Sequence, residues 1–169
     1  MSEDGGLRLL LERAAILDLH ARYFQGLDSG REAQVRGCFL PDVRAIYHNR
    51  PVAVGLEALM ADSLTPFFQR LATRHTRIAT HFMGNVVFER IEGEEAETEV
   101  YAIAFGVRAR AVRDQVAMMS LRYMDKLRRT EAGWRIAERV QSMDWGCHVP
   151  ASTAMEMMAR VNSPQPSLR

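Results

Sequence analysis

Apolar residues near the start of the chain recur every three or four positions, as on one face of an α-helix. This pattern spans residues 7–26 and predicts an amphipathic first helix. Gly26 and then Ser29-Gly30 are expected to break it, and Ser29 with Glu32 three residues later is typical of a capping box that starts a second, short helix. The apolar positions of the first helix are Leu7, Leu10, Leu11, Ala14, Ala15, Leu17, Ala21 and Phe24.

The remainder of the chain is mostly β-rich. Residues 43–47 and 51–54 predict two short strands joined around Asn49, and residues 56–71 predict a third helix, bent or interrupted at Pro66 because proline lacks an amide donor. Helices followed by a meander of long strands indicate an α+β fold. The long strands are predicted at 78–91, 96–107, 116–127 and 134–140, as two hairpins.

The chain has 169 residues, which is the length of one domain. We expect that domain over residues 1–150, and a tail at 151–169 that begins with a short helix and then frays. Methionines in the tail form an apolar stripe that fits either a lid over a cavity or an oligomer contact. They are Met155, Met157 and Met158.

Charge and segment composition narrow the possible partners. Lysine and arginine total 22 against 21 acidic residues, a net charge of +1, which disfavours nucleic acid and anionic membranes as partners. Residues 1–6 are acidic and polar, unlike a signal peptide, and no apolar run approaches the roughly 18 residues of a membrane span. Cys38 and Cys147 show no spacing typical of a redox thiol pair or of zinc ligands. We therefore expect reduced thiols and a cytoplasmic protein.

Several kinds of chemistry lack their sequence motifs. There is no glycine-rich phosphate loop, no nucleophile elbow and no two-histidine zinc helix, and the five histidines show no metal-ligand spacing. We therefore expect no cofactor and no metal. Arg108, Arg110 and Arg113 follow the second long strand and fit a solvated connection better than a grip on phosphate or RNA.

Three residues could carry chemistry together. Tyr23 and Asp28 lie where the first helix breaks, and His81 begins a long strand. A carboxylate that accepts a hydrogen bond from one imidazole nitrogen leaves the other nitrogen as a base, and a tyrosine could donate to a leaving hydroxyl or an oxyanion. From spacing alone, the trio fits either a catalytic site or a hydrogen-bonded core network.

Longer segments resemble the SnoaL-like group of the nuclear transport factor 2-like superfamily over residues 7–149. The resemblance implies a cone-shaped α+β barrel, in which a curved, mixed but mostly antiparallel sheet wraps the first helix and encloses a cavity. The segments that carry it are Ala15-Ile16-Leu17-Asp18-Leu19-His20-Ala21-Arg22-Tyr23, Gly26-Leu27-Asp28, Cys38-Phe39-Leu40-Pro41-Asp42-Val43, Thr80-His81-Phe82-Met83-Gly84-Asn85, Tyr123-Met124-Asp125-Lys126-Leu127 and Gly133-Trp134-Arg135-Ile136-Ala137-Glu138-Arg139.

The lyases of that superfamily suggest roles for the trio. In scytalone dehydratase, bile-acid 7α-dehydratase and hexachlorocyclohexane dehydrochlorinase, an aspartate after the first helix and a histidine on the first long strand form a base dyad. Asp28 and His81 match those positions, and Tyr23 matches a tyrosine of the dehydratases. Scytalone dehydratase has a second histidine in its cavity, and His48 and His75 are both candidates for its counterpart in this sequence.

The resemblance implies a cofactor-independent lyase, of the dehydratase or dehydrohalogenase type, acting on a small hydrophobic cyclic molecule. Alternatives within the superfamily are a noncatalytic ligand binder, a dioxygenase small subunit, a polyketide cyclase and an isomerase. Related proteins are dimers or trimers, so a homodimer or homotrimer is expected.

Five further residues are candidates for substrate contact. Strand alternation places Met83 and Asn85 on the same face as His81. Tyr47 and Tyr123 fit either core packing or the cavity, and Arg139 fits either a ligand contact or a salt bridge at a surface or interface. The methionines fit core packing or a cavity that adapts to a bulky apolar ligand.

Overall fold

Helices come first and a sheet of long strands follows in the computed structural model, which describes residues 3–48, 50–73, 76–108 and 115–150. Predictions about Asn49, His75, Arg110, Arg113 and the tail at 151–169, with its methionines, lie outside the described residues. The helices are α1 (Glu3–Asp28), α2 (Glu32–Arg36), α3 (Leu56–Leu59), a π-helix (Met60–Leu64) and α4 (Thr65–Ala72). The strands are β1 (Phe39–Tyr47), β2 (Ala53–Val54), β3 (Thr76–Glu92), β4 (Glu95–Arg108), β5 (Gln115–Thr130) and β6 (Gly133–Pro150).

The strands form one six-stranded sheet in the order β2-β1-β6-β5-β4-β3. All neighbouring pairs are antiparallel except β1 with β6, which is parallel. The predicted α+β class and the mixed, mostly antiparallel sheet are thus confirmed. The sheet curves without closing, so that β2 and β3 are its two edges.

Helix α1 buries a different face from the one predicted. Leu7, Leu10 and Leu11 are 59–64% exposed, because the buried positions come mainly from the second half of the helix. That half packs against the sheet, chiefly against β3. The buried stripe is Ile16, Leu19, His20, Tyr23, Phe24 and Leu27.

The end of α1 places Asp28 at the last helical position. The helix continues through Gly26, where an added Cβ would lie 2.7 Å from a Val35 methyl group, so glycine permits the close approach of α2. It then ends in a Schellman motif: the amide of Gly30, at φ +67°, donates to the Leu27 carbonyl, and the amide of Arg31 donates to the Gly26 carbonyl.

One other predicted boundary was wrong, and the third helix is interrupted just before the predicted position. The N-cap of α2 is Arg31, which makes no side-chain cap hydrogen bond, so the Ser29 capping box does not form. The predicted third helix is interrupted before Pro66 by the π-helix, and the proline lies in the first turn of α4, where a missing amide donor costs nothing.

Two of the β-bulges in the sheet change which way candidate site residues face. Between Met83 and Val86, three steps along β3 oppose two steps along β4, from Ala102 to Val100. Val86 therefore packs against the core as Met83 does, and Asn85 is exposed, which corrects its predicted place beside His81.

The second bulge is on β6. Two steps along β6, from Ile136 to Glu138, oppose one step along β5, from Leu127 to Lys126. Arg139 therefore shares the inward face with Ile136 and is 1% exposed. Of the two alternatives for Arg139, a ligand contact or a salt bridge at a surface or interface, the structure shows neither, because Arg139 forms a buried salt bridge with Asp125.

Candidate functional site

Asp28 and His81 form a hydrogen-bonded pair at the end of α1. Oδ1 of Asp28 lies 2.6 Å from Nδ1 of His81, and Oδ2 accepts a hydrogen bond of 2.9 Å from the His81 backbone amide. Both side chains are below 10% exposed, at 9% and 7%. One carboxylate thus fixes both the imidazole and the strand that carries it.

The pairing determines which imidazole nitrogen can act as a base. Because a carboxylate occupies Nδ1, the neutral ring carries its proton there and leaves the Nε2 lone pair free. Among the described residues Nε2 has no hydrogen-bond partner, and His81 lines a cavity. The ring is further held by Phe24, which stacks on it at 5.5 Å and 22°, and by the edge of Phe67 at 6.4 Å.

The cavity has a volume of about 310 Å³, within the range of small-molecule sites. Its size comes from small side chains on the long strands: Ala79 on β3, and Ala104 and Gly106 on β4. Its inner wall is apolar and aromatic. That wall contains Tyr23, Leu27, Met119, Leu121, Tyr123 and Met143.

Two tyrosine hydroxyls meet at this cavity. Oη of Tyr23 and Oη of Tyr47 are 2.8 Å apart, and Arg139 donates to Tyr47 at 3.4 Å. Burial raises the pKa of Tyr23 well above its usual value, and Tyr47 raises it further. Burial also raises the pKa of Tyr47 and Tyr123. These hydroxyls stay protonated at neutral pH and can act as hydrogen-bond donors rather than bases.

A buried ion pair packs against the tyrosines on the side away from the cavity. Nε and Nη2 of Arg139 donate to Asp125 at 2.8 and 2.6 Å, and both side chains are fully buried. Burial works against the charge of Arg139, but the charge and hydrogen bonds of Asp125, together with Tyr47 and Tyr23, outweigh burial and keep the guanidinium pKa well above its usual value. The guanidinium carbon lies 4.2 Å from the Tyr23 ring centre and 4.8 Å from that of Tyr123.

His20 completes this buried group. Its Nε2 lies 3.2 Å from the Thr98 hydroxyl oxygen, and its Nδ1 lies 3.7 Å from an Asp125 oxygen without a hydrogen-bond partner among the described atoms. Burial lowers the pKa of His20 to about 4, with Asp125 opposing the shift and Arg139 adding to it. His20 is therefore neutral at pH 7.

The structure brings most, though not all, of the candidate residues to one place. Tyr23, Tyr47, Tyr123 and His81 line the cavity, with Asp28 directly behind His81. Three candidates for substrate contact do not line it. Met83 packs against the core, Asn85 is exposed, and Arg139 lies behind Tyr23.

Several cavity residues were not among the sequence candidates. Phe67 lines the cavity, and Phe24 stacks on His81 without lining it; both were missed because a ring contact with an imidazole leaves no sequence signal. Arg50, Arg70 and Arg108 also line the cavity. The sequence predicts Arg108 as part of a solvated connection, whereas in the structure it pairs with Thr76 at the end of the first long hairpin, and both residues line the cavity.

Two kinds of feature are absent from the described residues. Within them, no three His, Cys, Asp or Glu side chains converge as ligands for a metal ion. None of the helices found there is both long and apolar enough to cross a membrane. His48, one of the two candidates for a second histidine, lines the cavity.

Comparisons with known proteins give the family and the fold. The sequence profile of the SnoaL-like domain matches residues 8–140. No curated protein matches the sequence. A scytalone dehydratase-like protein from Novosphingobium aromaticivorans superposes with a TM-score of 0.71 at 17% identity, over 89% of this chain and 91% of that chain.

Two further solved structures are similar. Hexachlorocyclohexane dehydrochlorinase LinA-type3 from Novosphingobium barchaimii has a TM-score of 0.70 at 17% identity, over 92% of this chain and 99% of that chain. A nuclear transport factor 2-like protein with a cystatin-like fold, from Novosphingobium aromaticivorans, has a TM-score of 0.60 at 25% identity, over 83% and 87%. The neighbours at 17% identity show a shared fold.

Proposed function

Since the chain belongs to the SnoaL-like domain family, we propose that it is a cofactor-independent lyase acting on a small cyclic molecule. The observation that carries the proposal is the 2.6 Å contact between Asp28 and Nδ1 of His81, which leaves Nε2 available at the cavity. Similar solved structures whose names denote a dehydratase or a dehydrochlorinase support the same reaction class.

In the proposed reaction, Nε2 of His81 removes a proton from a carbon next to the one that bears the leaving group. The electron pair of the broken C–H bond forms a C=C bond while the C–O or C–halogen bond breaks. A departing hydroxide takes up the imidazolium proton and leaves as water. A departing halide leaves as an anion, and the proton passes to solvent.

Asp28 and the tyrosines have separate roles in this scheme. The Asp28 carboxylate keeps the imidazole in the productive tautomer and stabilises the imidazolium. Because burial keeps the Tyr23 and Tyr47 hydroxyls protonated, one of them can donate a hydrogen bond to the leaving group or to a developing oxyanion. Arg139 does not line the cavity and acts as a positioning residue for both.

A panel of substrates tests the reaction class. Chloride release from hexachlorocyclohexane reports dehydrohalogenation, and the ultraviolet absorbance of an enone reports water loss from cyclic β-hydroxyketones. We expect turnover of at least one class and a loss of about 10²-fold or more in His81→Ala. His148→Ala, at an exposed histidine of β6, is the matched control and should retain full activity.

Two outcomes would contradict the proposal. Undiminished turnover in His81→Ala, with the variant folded by circular dichroism, would show that His81 is not the base. Binding of cyclic ligands in the cavity, with no turnover and no exchange of ligand carbon-bound protons for solvent deuterium, would instead favour the noncatalytic binder.

A further inference from the structure

The mouth of the cavity carries concentrated positive charge. Arg50, Arg70 and Arg108 line it together with His48, whereas its lining among the described residues contains no aspartate or glutamate. Asp28 lies behind His81 and does not line it. For a chain with a net charge of only +1, this is a strong local imbalance.

The arginines come from separate elements that converge. Arg50 follows Tyr47 in the β1–β2 connection and donates its amide to the Tyr47 carbonyl, Arg70 lies in the last turn of α4, and Arg108 is the last residue of β4. Arg50 and Arg70 are exposed, whereas Tyr23 and Tyr123 at the inner wall are buried. The positive charges therefore lie toward solvent and the apolar surface lies inside.

The arrangement keeps like charges close together without a partner. Burial, followed by the charges of Arg108 and Arg50, lowers the pKa of Arg70. Within the described chain, none of these arginines is within salt-bridge distance of a carboxylate, unlike Arg22, Arg36, Arg90, Arg122, Arg128, Arg129 and Arg139.

A structural role explains only one member of this group. A basic residue in the last turn of a helix is stabilised by the helix dipole, which accounts for Arg70 by itself. It does not account for Arg50 and Arg108, which approach Arg70 from other elements despite charge repulsion. An anion bound among them would relieve that repulsion, and guanidinium groups suit a planar oxyanion that accepts two hydrogen bonds.

We infer that the mouth of this cavity binds a negatively charged oxygen group, so that the substrate is a small apolar ring compound bearing a carboxylate or a similar oxyanion. The anion lies at Arg50, Arg70 and Arg108, and the ring extends toward Tyr23, Tyr123 and Leu121. This orientation brings the ring past His81. The inference names the substrate class of the proposed function, and it depends on that function only for the type of reaction.

A pair of probes that differ in one charged group tests the inference by binding alone. 1-Anilinonaphthalene-8-sulfonate is N-phenyl-1-naphthylamine with an added sulfonate, and both fluoresce when held in an apolar site. At low salt we expect the full chain to bind the sulfonate at least tenfold more tightly than the neutral amine. Salt should weaken sulfonate binding and leave amine binding unchanged.

Variants locate the anion. The triple variant Arg50→Gln, Arg70→Gln, Arg108→Gln should lose at least tenfold in affinity for the sulfonate and less than twofold for the amine. The control triple variant Arg22→Gln, Arg44→Gln, Arg128→Gln removes the same charge from exposed positions outside the cavity lining and should change neither. Ala104→Phe fills the cavity and should abolish binding of both probes.

Each result supports or overturns the inference. Equal affinity for the two probes, or an equal loss in both triple variants, would overturn it, as would sulfonate binding that survives Ala104→Phe. Failure of the inference is distinct from failure of the proposed function, which depends on turnover in His81→Ala. Loss of anion preference in the first triple variant supports the inference whatever that turnover shows.

Discussion

The guanidinium carbon of Arg139 lies 4.2 Å from the centre of the Tyr23 ring, so a fully buried cation rests against a tyrosine of the cavity wall. The same guanidinium pairs with Asp125 and donates to Tyr47. The position of two cavity hydroxyls is therefore tied to an ion pair that does not itself line the cavity.

Replacing Arg139 with methionine should destabilise the protein strongly. The change leaves the Asp125 carboxylate buried without its partner, which typically costs about 3–5 kcal/mol in the free energy of unfolding. Urea denaturation measures it. The double variant Arg139→Met, Asp125→Leu should recover at least half the loss, since apolar replacement of a whole buried pair is often neutral. If Arg139→Met alone changed the free energy of unfolding by less than about 1 kcal/mol, as at an exposed pair, the buried ion pair would be contradicted.

Tyr23→Phe should impair turnover more than stability. It removes a hydroxyl that lies 2.8 Å from Tyr47 at the cavity, and loss of one such donor typically costs about 10²-fold in kcat. The unfolding free energy should change by about 1 kcal/mol, the net value of one hydrogen bond. Tyr101→Phe, at a tyrosine outside the cavity lining, serves as the control and should leave kcat unchanged. Equal kcat values in the two variants would refute a role for the Tyr23 hydroxyl.

Acid should weaken the fold partly through His20. Its folded-state pKa is lowered to about 4, so the unfolded chain takes up this proton first as the pH falls. The stability linked to His20 is fully present above about pH 6.5 and is lost toward about pH 4, by roughly 3 kcal/mol. Urea denaturation across this range should show a shallower pH dependence for His20→Asn than for wild type. Parallel profiles would mean that the pKa of His20 is the same in the folded and the unfolded chain.

Asp28→Asn should lower kcat by about 10⁴-fold while leaving the fold intact, as in the serine protease triad, where the same change gives the wrong imidazole tautomer. The amide can donate to Nδ1 of His81, which moves the imidazole proton to Nε2 and removes the base. Comparable thermal melting of variant and wild type checks the fold, and kcat with an accepted substrate checks the chemistry. Full activity in the folded variant would limit Asp28 to holding the backbone of β3.

Much of the fold could be predicted because its signals are local. The order of elements follows from hydrophobic periodicity and from turns such as those at Gly93 and Gly133, whose φ angles are +57° and +94°. The Asp28–His81 pairing depended on the family resemblance, since no short-range pattern links residues 53 positions apart.

The errors at the site have a common cause. Alternation along a strand predicts inward and outward faces only while the strand remains regular. One extra residue in β3 turned Asn85 outward, and one extra residue in β6 turned Arg139 inward. The β3 bulge contains Gly84, and a glycine inside a strand pattern is a signal for such an irregularity that alternation alone ignores. The β6 bulge has no comparable signal, and neither does the convergence of Arg50, Arg70 and Arg108 from three elements.

The second contact between Asp28 and His81 also occupies a backbone donor at the edge of the sheet. β3 is an edge strand, and an edge strand presents unpaired amides to which a foreign strand can add. Because the His81 amide donates to the Asp28 carboxylate, this amide of β3 is occupied by a side chain from α1 and is not available to an added strand. The group proposed to orient the base thereby also blocks strand addition beside the cavity, so aggregation through this edge would first have to displace it.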